Sequence, residues 1–265
     1  RERPWAKIGI YTNGMLIDEE KARRSMNCGL TELNISIDAA KPETYRRVRR
    51  GGKLDILHEN IKRLVKIKKE TRSKFPLIGM NFVMVNENEG ELVPFIEQAA
   101  DFGVDYIGTI TFASYDWGFK NRRSADSYFR ELDAAEKRMD ELGMRCRSFP
   151  SRNISWSDPT QPFNCNFFWG ENFQVNYNGD ITLGCCTPFK ETFSYGNVLE
   201  TPFKEIWNGE KYTKNRRLAA NHTAPCKACG SCDQFSKNFF IPPDQSKFIS
   251  LNEIAVQRAK ELVGR

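Results

Sequence analysis

Glu32-Leu33-Asn34-Ile35-Ser36-Ile37 is a short β-rich run that ends on Asp38. The segments around it follow a different period. Upstream, Asp18 is placed to N-cap a helix running to about Asn27, with Cys28-Gly29 as its stop. Before that helix comes another β-rich run, Lys7–Tyr11. Downstream, Leu54, Leu57, Ile61, Leu64 and Val65 recur at helical spacing, a core-facing stripe with Lys and Arg opposite. The pattern then repeats. Leu77–Val85 reads as a strand. Leu92, Phe95 or Ile96, Ala99 and Phe102 form a second helical stripe, closed by Gly103. Val104–Thr111 reads as a strand, and Tyr128, Leu132, Ala135, Met139 and Leu142 form a third stripe, closed by Gly143. Strand and helix alternating through short connections predict right-handed βαβ units and a parallel sheet, hence an α/β fold.

In parallel barrels and open parallel sheets alike, ligands sit beyond the carboxyl ends of the strands. The stretches at those ends are Thr12-Asn13-Gly14, Ser36 to Ala40, Asn86, and Phe112 to Trp117. Taken singly they are bland: Asn13-Gly14 suits a turn, and Asp38 suits a cap for the helical segment beginning at Pro42.

The last hundred residues are of another kind. Cys165, Cys185, Cys186, Cys226, Cys229 and Cys232 are six of the eight cysteines. Thiolates at Cys-x-x-Cys spacing grip one metal centre from a single turn, which suits a 4Fe–4S cluster or a four-coordinate zinc. One loop cannot close the coordination, so the remaining ligands come from a distant segment, with Cys165, Cys185 and Cys186 as the candidates. A disulfide framework would scatter its cysteines, so this clustering suits a reducing compartment and a cytoplasmic location. Cys28 and Cys146 stand apart and read as structural thiols, and His58 and His222 are not needed as ligands.

Residues 151–162 carry Ser, Asn, Asp and Pro without apolar periodicity, a linker or boundary. An aromatic stretch follows from Phe163 to Phe173, suited to a small core or to a sheath that keeps water from a cluster. Asn178-Gly179 marks a tight hairpin turn between Gln174–Tyr177 and Ile181–Leu183. Gly196-Asn197-Val198 reads as a turn. Thr201-Pro202 then opens a helix with Thr201 as N-cap, and Lys211–Ala220 is a second, basic helix. A final amphipathic helix ends near Val263. The organisation is therefore 1–150, 163–240 and 241–265.

The 265 residues hold 40 basic and 34 acidic side chains, a net +6 spread along the chain. So mild an excess describes ordinary surface and does not favour a nucleic-acid partner. No apolar run approaches a membrane span. The chain starts without Met and enters a strand almost at once, which reads as a start partway through a fold.

Taken together, the residues resemble a known family. From Cys165 through Gly196-Asn197-Val198-Leu199-Glu200 and Ile206-Trp207-Asn208 to Cys226–Cys232, the chain is similar to the SPASM or twitch-type auxiliary cluster domain of radical S-adenosylmethionine (SAM) enzymes. Tyr11-Thr12-Asn13-Gly14 resembles the third strand of a radical SAM barrel. Ile35-Ser36-Ile37-Asp38 resembles the fourth, followed by Pro42-Glu43-Thr44-Tyr45 and Val48-Arg49. The resemblance implies a partial (β/α) TIM-like barrel followed by a small cysteine-rich α+β cluster-binding domain.

It also implies an enzyme in which SAM is cleaved to a radical that takes a hydrogen atom from a small-molecule or peptide substrate, with an external electron donor. Ser36 and Asp38 would lie near SAM, Asn13 would line the same mouth, and Arg49 would support a carboxylate there. One auxiliary 4Fe–4S cluster would be held by Cys165, one of Cys185 and Cys186, and two or three of Cys226, Cys229 and Cys232. SAM and a second 4Fe–4S cluster belong to the complete enzyme. The family's C-x3-C-x2-C motif is absent from this sequence, so the 265 residues alone are expected to be inactive. The rival reading is a non-catalytic zinc- or cluster-binding module for a partner, using the same cysteines.

Overall fold

A computed structural model describes residues 6–111, 125–149, 173–182, 194–221 and 223. The chain forms two compact units, with the described residues up to 149 in the first and those from 173 onward in the second.

In the first unit the strands are β1 (Gly9–Thr12), β2 (Glu32–Ser36), β3 (Leu77–Met84), β4 (Tyr106–Thr111) and β5 (Cys146–Ser148). The helices are α1 (Glu19–Asn27), α2 (Pro42–Val48), α3 (Leu54–Glu70), α4 (Leu92–Phe102) and α5 (Ala125–Leu142). All four strand pairings are parallel, in the order β1-β2-β3-β4-β5. Spatial order that follows chain order, without a reversal, sends every right-handed crossover to the same face. That is the connectivity of a barrel wall rather than of a doubly wound sheet.

The side chains sort accordingly. Leu33, Ile35, Ile78, Met80, Phe82, Met84 and Ile107 join Leu57, Ile61 and Leu64 of α3 and Phe95, Ile96 and Ala99 of α4 in one apolar core. Strand side chains alternate between faces, so Glu32, Asn34 and Ser36 point to the opposite, concave side.

Local chemistry sets the element ends. Asp18 caps α1, its Oδ1 accepting from Lys21 N at 2.8 Å. Gly103 ends α4 in the left-handed region at φ 74°, satisfying carbonyls of the last turn. Helix α2 differs from expectation: Lys41 is its N-cap and supplies no side-chain bond, and Asp38 does not cap it. Glu91, buried and 50 residues away, does the capping. Its Oε2 accepts from Ala40 N (2.8 Å) and Lys41 N (3.1 Å), and its Oε1 from Thr44 Oγ1 (2.6 Å). A carboxylate at that end also meets the positive pole of the helix. Strand β5 was not anticipated, because three residues are too few to show a period.

The second unit has a three-stranded antiparallel sheet, β6 (Gln174–Val175), β7 (Asp180–Thr182) and β8 (Gly196–Asn197). Helices α6 (Phe203–Asn208) and α7 (Glu210–Ala220) follow. The Asn178-Gly179 turn forms as expected, with Gly179 at φ 89°. Gly196-Asn197 is a strand rather than a turn, because Asn197 pairs with Asp180 and its amide binds Asn178 O (2.9 Å) and Asp180 Oδ1 (3.1 Å). Pro202, not Thr201, is the N-cap of α6. The 151–162 linker and the final helix lie outside the described residues, as does most of the aromatic stretch before Phe173.

Candidate functional site

The carboxyl ends of β1 to β3 form one rim. Thr12 pairs with Ile35, so Asn13 and Ser36 leave neighbouring strand ends. Asn13 is exposed; its Oδ1 accepts from Met15 N at 3.1 Å, and Thr12 Oγ1 accepts from Gly14 N at 3.1 Å. Gly14 is required here. It sits at φ 71°, and a Cβ would meet Leu57 Cδ1 at 2.5 Å. Asn60, buried on α3, holds the turn from behind through Gly14 O (3.0 Å) and Met15 O (3.2 Å).

Asp38 follows β2 with a left-handed φ of 56°, which turns its side chain back over the strand ends. Both carboxylate oxygens are engaged. Oδ1 accepts from Val83 N at 2.8 Å, and Oδ2 pairs with Arg49 Nη2. Burial pushes this carboxyl above its ordinary value, against the opposing pull of the Arg49 guanidinium and the Val83 N–H. Asn88 closes the corner by donating to Asp38 O (2.9 Å) and Val83 O (2.8 Å). Asp38 therefore locks β2, β3 and Arg49 together. The half-buried Ser36 hydroxyl has no hydrogen-bond partner among the described residues.

Sequence reasoning missed the constellation below this rim, on the concave face. Tyr106 donates to Asn34 Oδ1 at 2.7 Å, and Asn81 Nδ2 to the same oxygen at 3.3 Å. Arg147 pairs with Glu32 Oε2 and lies 3.5 Å from Tyr106 Oη. Asn34 Nδ2 and Glu32 Oε1 are buried without a partner. The signal was present in Glu32-Leu33-Asn34-Ile35-Ser36. Polar residues at every second position of a buried strand mean a polar interior opposite an apolar helix layer.

Cys165, Cys185, Cys186, Cys226, Cys229 and Cys232 lie outside the described residues, as do His222 and Phe112–Trp117. Cys146 is buried on β5, its thiol donates to Ser148 O at 3.0 Å, and burial pushes it up to about 12. A thiol held protonated this firmly is a poor metal ligand. Cys28 is exposed at the end of α1. His58 is half-buried, its ring edge-on to Phe102 at 4.8 Å. Among the described residues no group of three or more His, Cys, Asp or Glu side chains is placed to hold a metal, and no helix is long and apolar enough to cross a membrane.

Comparison with known proteins accounts for both units. Residues 1–99 match the radical SAM superfamily, and residues 165–233 match the SPASM iron–sulfur cluster-binding domain. The chain is 24% identical over 245 residues to the tungsten-containing aldehyde ferredoxin oxidoreductase cofactor-modifying protein of Pyrococcus furiosus, covering 85% of this chain and 67% of that one. It is 24% identical over 225 residues to the PqqA peptide cyclase of Granulibacter bethesdensis, covering 83% and 58%. A GTP 3',8-cyclase of Limosilactobacillus fermentum is 32% identical over 99 residues, covering 37% and 28%. The chain thus spans from about a quarter to two thirds of these relatives' lengths.

Among solved structures, Streptococcus suis SuiB bound to precursor peptide SuiA aligns with a TM-score of 0.60 at 12% identity, over 80% of this chain and 50% of that one. A tagged anSMEcpe with bound AdoMet aligns with a TM-score of 0.56 at 14% identity, over 96% and 71%. These likenesses carry the fold, and the parallel sheet in chain order agrees with them. A radical SAM match over the first βα units and an iron–sulfur match over the cysteine-rich unit, in one chain, settle the family: the protein belongs to the radical SAM superfamily and carries a SPASM iron–sulfur cluster-binding domain.

Proposed function

We propose that this chain is the SAM-mouth and auxiliary-cluster portion of a radical SAM/SPASM enzyme that modifies a peptide substrate. The observation that carries the reading is the pairing of a radical SAM match with a SPASM match in one chain. The peptide preference rests on the names of two relatives, a peptide cyclase and a structure bound to a precursor peptide. The SPASM match favours iron and sulfide over zinc in the cysteine-rich unit.

Bound SAM and a reduced cluster together would supply a hydrogen-atom abstraction. The chain's own residues bind and orient. The free Ser36 hydroxyl faces the rim as a donor or acceptor for a ribose or amino-acid group. Asn13 presents its amide beside it. Arg49, braced by Asp38, keeps guanidinium donors for a carboxylate. The fit is physical: the fixed partners of Asp38 preorganise Arg49, so the rim need not rearrange when an anionic group arrives. The auxiliary cluster would draw its ligands from Cys165, Cys185, Cys186, Cys226, Cys229 and Cys232, while an external donor supplies electrons.

The test is anaerobic reconstitution of the 265 residues with iron and sulfide, followed by SAM and dithionite. One 4Fe–4S cluster and no 5′-deoxyadenosine are expected. A chain that also supplies three cysteines in C-x3-C-x2-C spacing should form 5′-deoxyadenosine. Zinc in place of iron, or no nucleoside from the longer chain, overturns the proposal.

A further inference from the structure

Two stretches of the first unit are strongly basic. Residues 41–53 hold six basic side chains and one acidic, Glu43, and residues 62–74 hold seven and one, Glu70. The net charge that reads as spread along the chain is therefore gathered chiefly in these two stretches, and the fold treats them differently. The second stretch, on and just after α3, is largely spent on near neighbours. Lys68 pairs with Asp105 at 2.6 Å and Lys66 with Glu70 at 3.8 Å. Arg63 donates to Ile17 O at 3.1 Å, and Lys62 lies 4.9 Å over the Phe102 ring.

The first stretch is not spent. Lys41, Arg46, Arg50 and Lys53 are exposed, and their side chains make no ion pair or hydrogen bond among the described residues. Glu43 and Asp55, the carboxylates nearest in sequence, pair with none of them. Exposed cations without partners keep their field for an incoming anion.

Local structure fixes where these charges stand. Arg49 N donates to Tyr45 O at 2.8 Å as α2 ends, and Gly52 N donates to Arg49 O at 2.9 Å. The second bond closes a turn with Arg50 and Gly51 at its corner. Gly51 has φ 75°, and a Cβ there would meet nothing within 4 Å, so the corner is open to approach. Gly52 lies against the buried Tyr45 ring, where a Cβ would sit 2.5 Å from Cε1. Arg49 reaches from the same turn to Asp38 at the end of β2. The turn is thereby tied to the rim of the strand ends, with Arg46 on the last turn of α2 before it and Lys53 just after it.

We infer that Arg46, Arg50 and Lys53 form a docking surface beside the mouth for an acidic segment of the peptide substrate. The inference deepens the proposed peptide-modifying function and rests on it. The physical reason is complementarity: guanidinium groups donate paired hydrogen bonds to carboxylates, and an ammonium adds a point charge. Because the Tyr45 and Arg49 contacts already hold the turn, docking has little backbone to order.

The experiment is fluorescence anisotropy on the full 265-residue chain. The probes are a short labelled peptide alternating Glu with Ser, and the same peptide with Gln in place of Glu. At about 50 mM salt the Glu peptide should bind about tenfold more tightly than the Gln peptide, and the gap should narrow at about 300 mM. Combining Arg46→Gln, Arg50→Gln and Lys53→Gln should remove most of the difference. Combining Lys62→Gln, Lys66→Gln and Lys69→Gln removes the same charge from the groove between α3 and α4, and should leave the difference in place. The contrast between the two peptides on the parent chain needs no variant, so it stands even where a variant fails to fold. Equal binding of the two peptides, an equal loss from the two triple variants, or displacement of the Glu peptide by single-stranded poly(U) at lower concentration than by unlabelled Glu peptide overturns this inference alone. The proposed function falls separately, on the metal and nucleoside readings of the reconstituted chain, because the anisotropy depends on neither.

Discussion

Asp38 shows how one side chain acquires a structural task at the mouth of a site. Its left-handed backbone and its bonds to Val83 and Arg49 tie the end of β2 to β3 and to the C-terminal end of α2 with one carboxylate. Cys146 is the opposite case, a reactive group silenced by burial. Its folded value is raised to about 12, whereas a free thiol titrates near ~8.5. The sign follows directly. Below the free value both states hold the proton, and the thiol contributes its full stabilisation. As pH rises from there towards the folded value, the unfolded chain loses its proton first, so stability falls. Urea midpoints should therefore decline more steeply above about pH 9 in the parent than in Cys146→Ala. The slopes should differ by up to about 1.4 kcal/mol per pH unit. Equal slopes would mean the thiol ionises in the folded state.

Strands β2, β3 and β4 carry a packing rule that links glycine to the polar interior. Gly79 on β3 pairs with Asn34 on one side and Tyr106 on the other. A Cβ there would lie 2.4 Å from Tyr106 Cε2 and 2.5 Å from its Cζ. The missing side chain is what lets the Tyr106 ring lie across β3 and deliver its hydroxyl to Asn34. Gly108 does the same for Asn81, whose Oδ1 would be 2.4 Å from an added Cβ. Gly79→Ala should destabilise the first unit by roughly 2 kcal/mol through overpacking. Combining it with Tyr106→Phe should recover little, because ring carbons rather than the hydroxyl occupy the space. Full recovery in that double variant, measured by urea unfolding, would contradict this packing.

Across the whole first unit, curvature is the property that makes a mouth. Glu32 and Arg147 lie on strands three places apart, about 14 Å in a flat sheet. Side chains standing upright on such a sheet would not meet. Their ion pair, 115 residues apart in sequence, is a chord across the concave side. Glu32 is nearly fully buried, so removing its partner strands a charge. Arg147→Met should cost about 3 kcal/mol, and Glu32→Gln in the same chain should recover most of it. A single variant as stable as the parent would show that the chord does not hold the arc.

The α/β class, the helix stripes on α3, α4 and α5, the cap at Asp18 and the hairpin turn at Asn178-Gly179 were all legible in the sequence. Each depends on near neighbours, and a period or a turn residue records it directly. The family resemblance was legible for a related reason, since Cys226–Cys232 and the Tyr11–Gly14 and Ile35–Asp38 segments are contiguous. Tertiary structure alone decided the rest. Glu91 replaces a local cap for α2 from 50 residues away. Strand β5 exists because β4 offers it a partner, and Gly196-Asn197 is a strand because Asp180 does the same. The Glu32–Arg147–Tyr106–Asn34 network assembles only when the sheet bends. These features pair groups distant in the chain, and no local periodicity encodes which distant partner a side chain will meet.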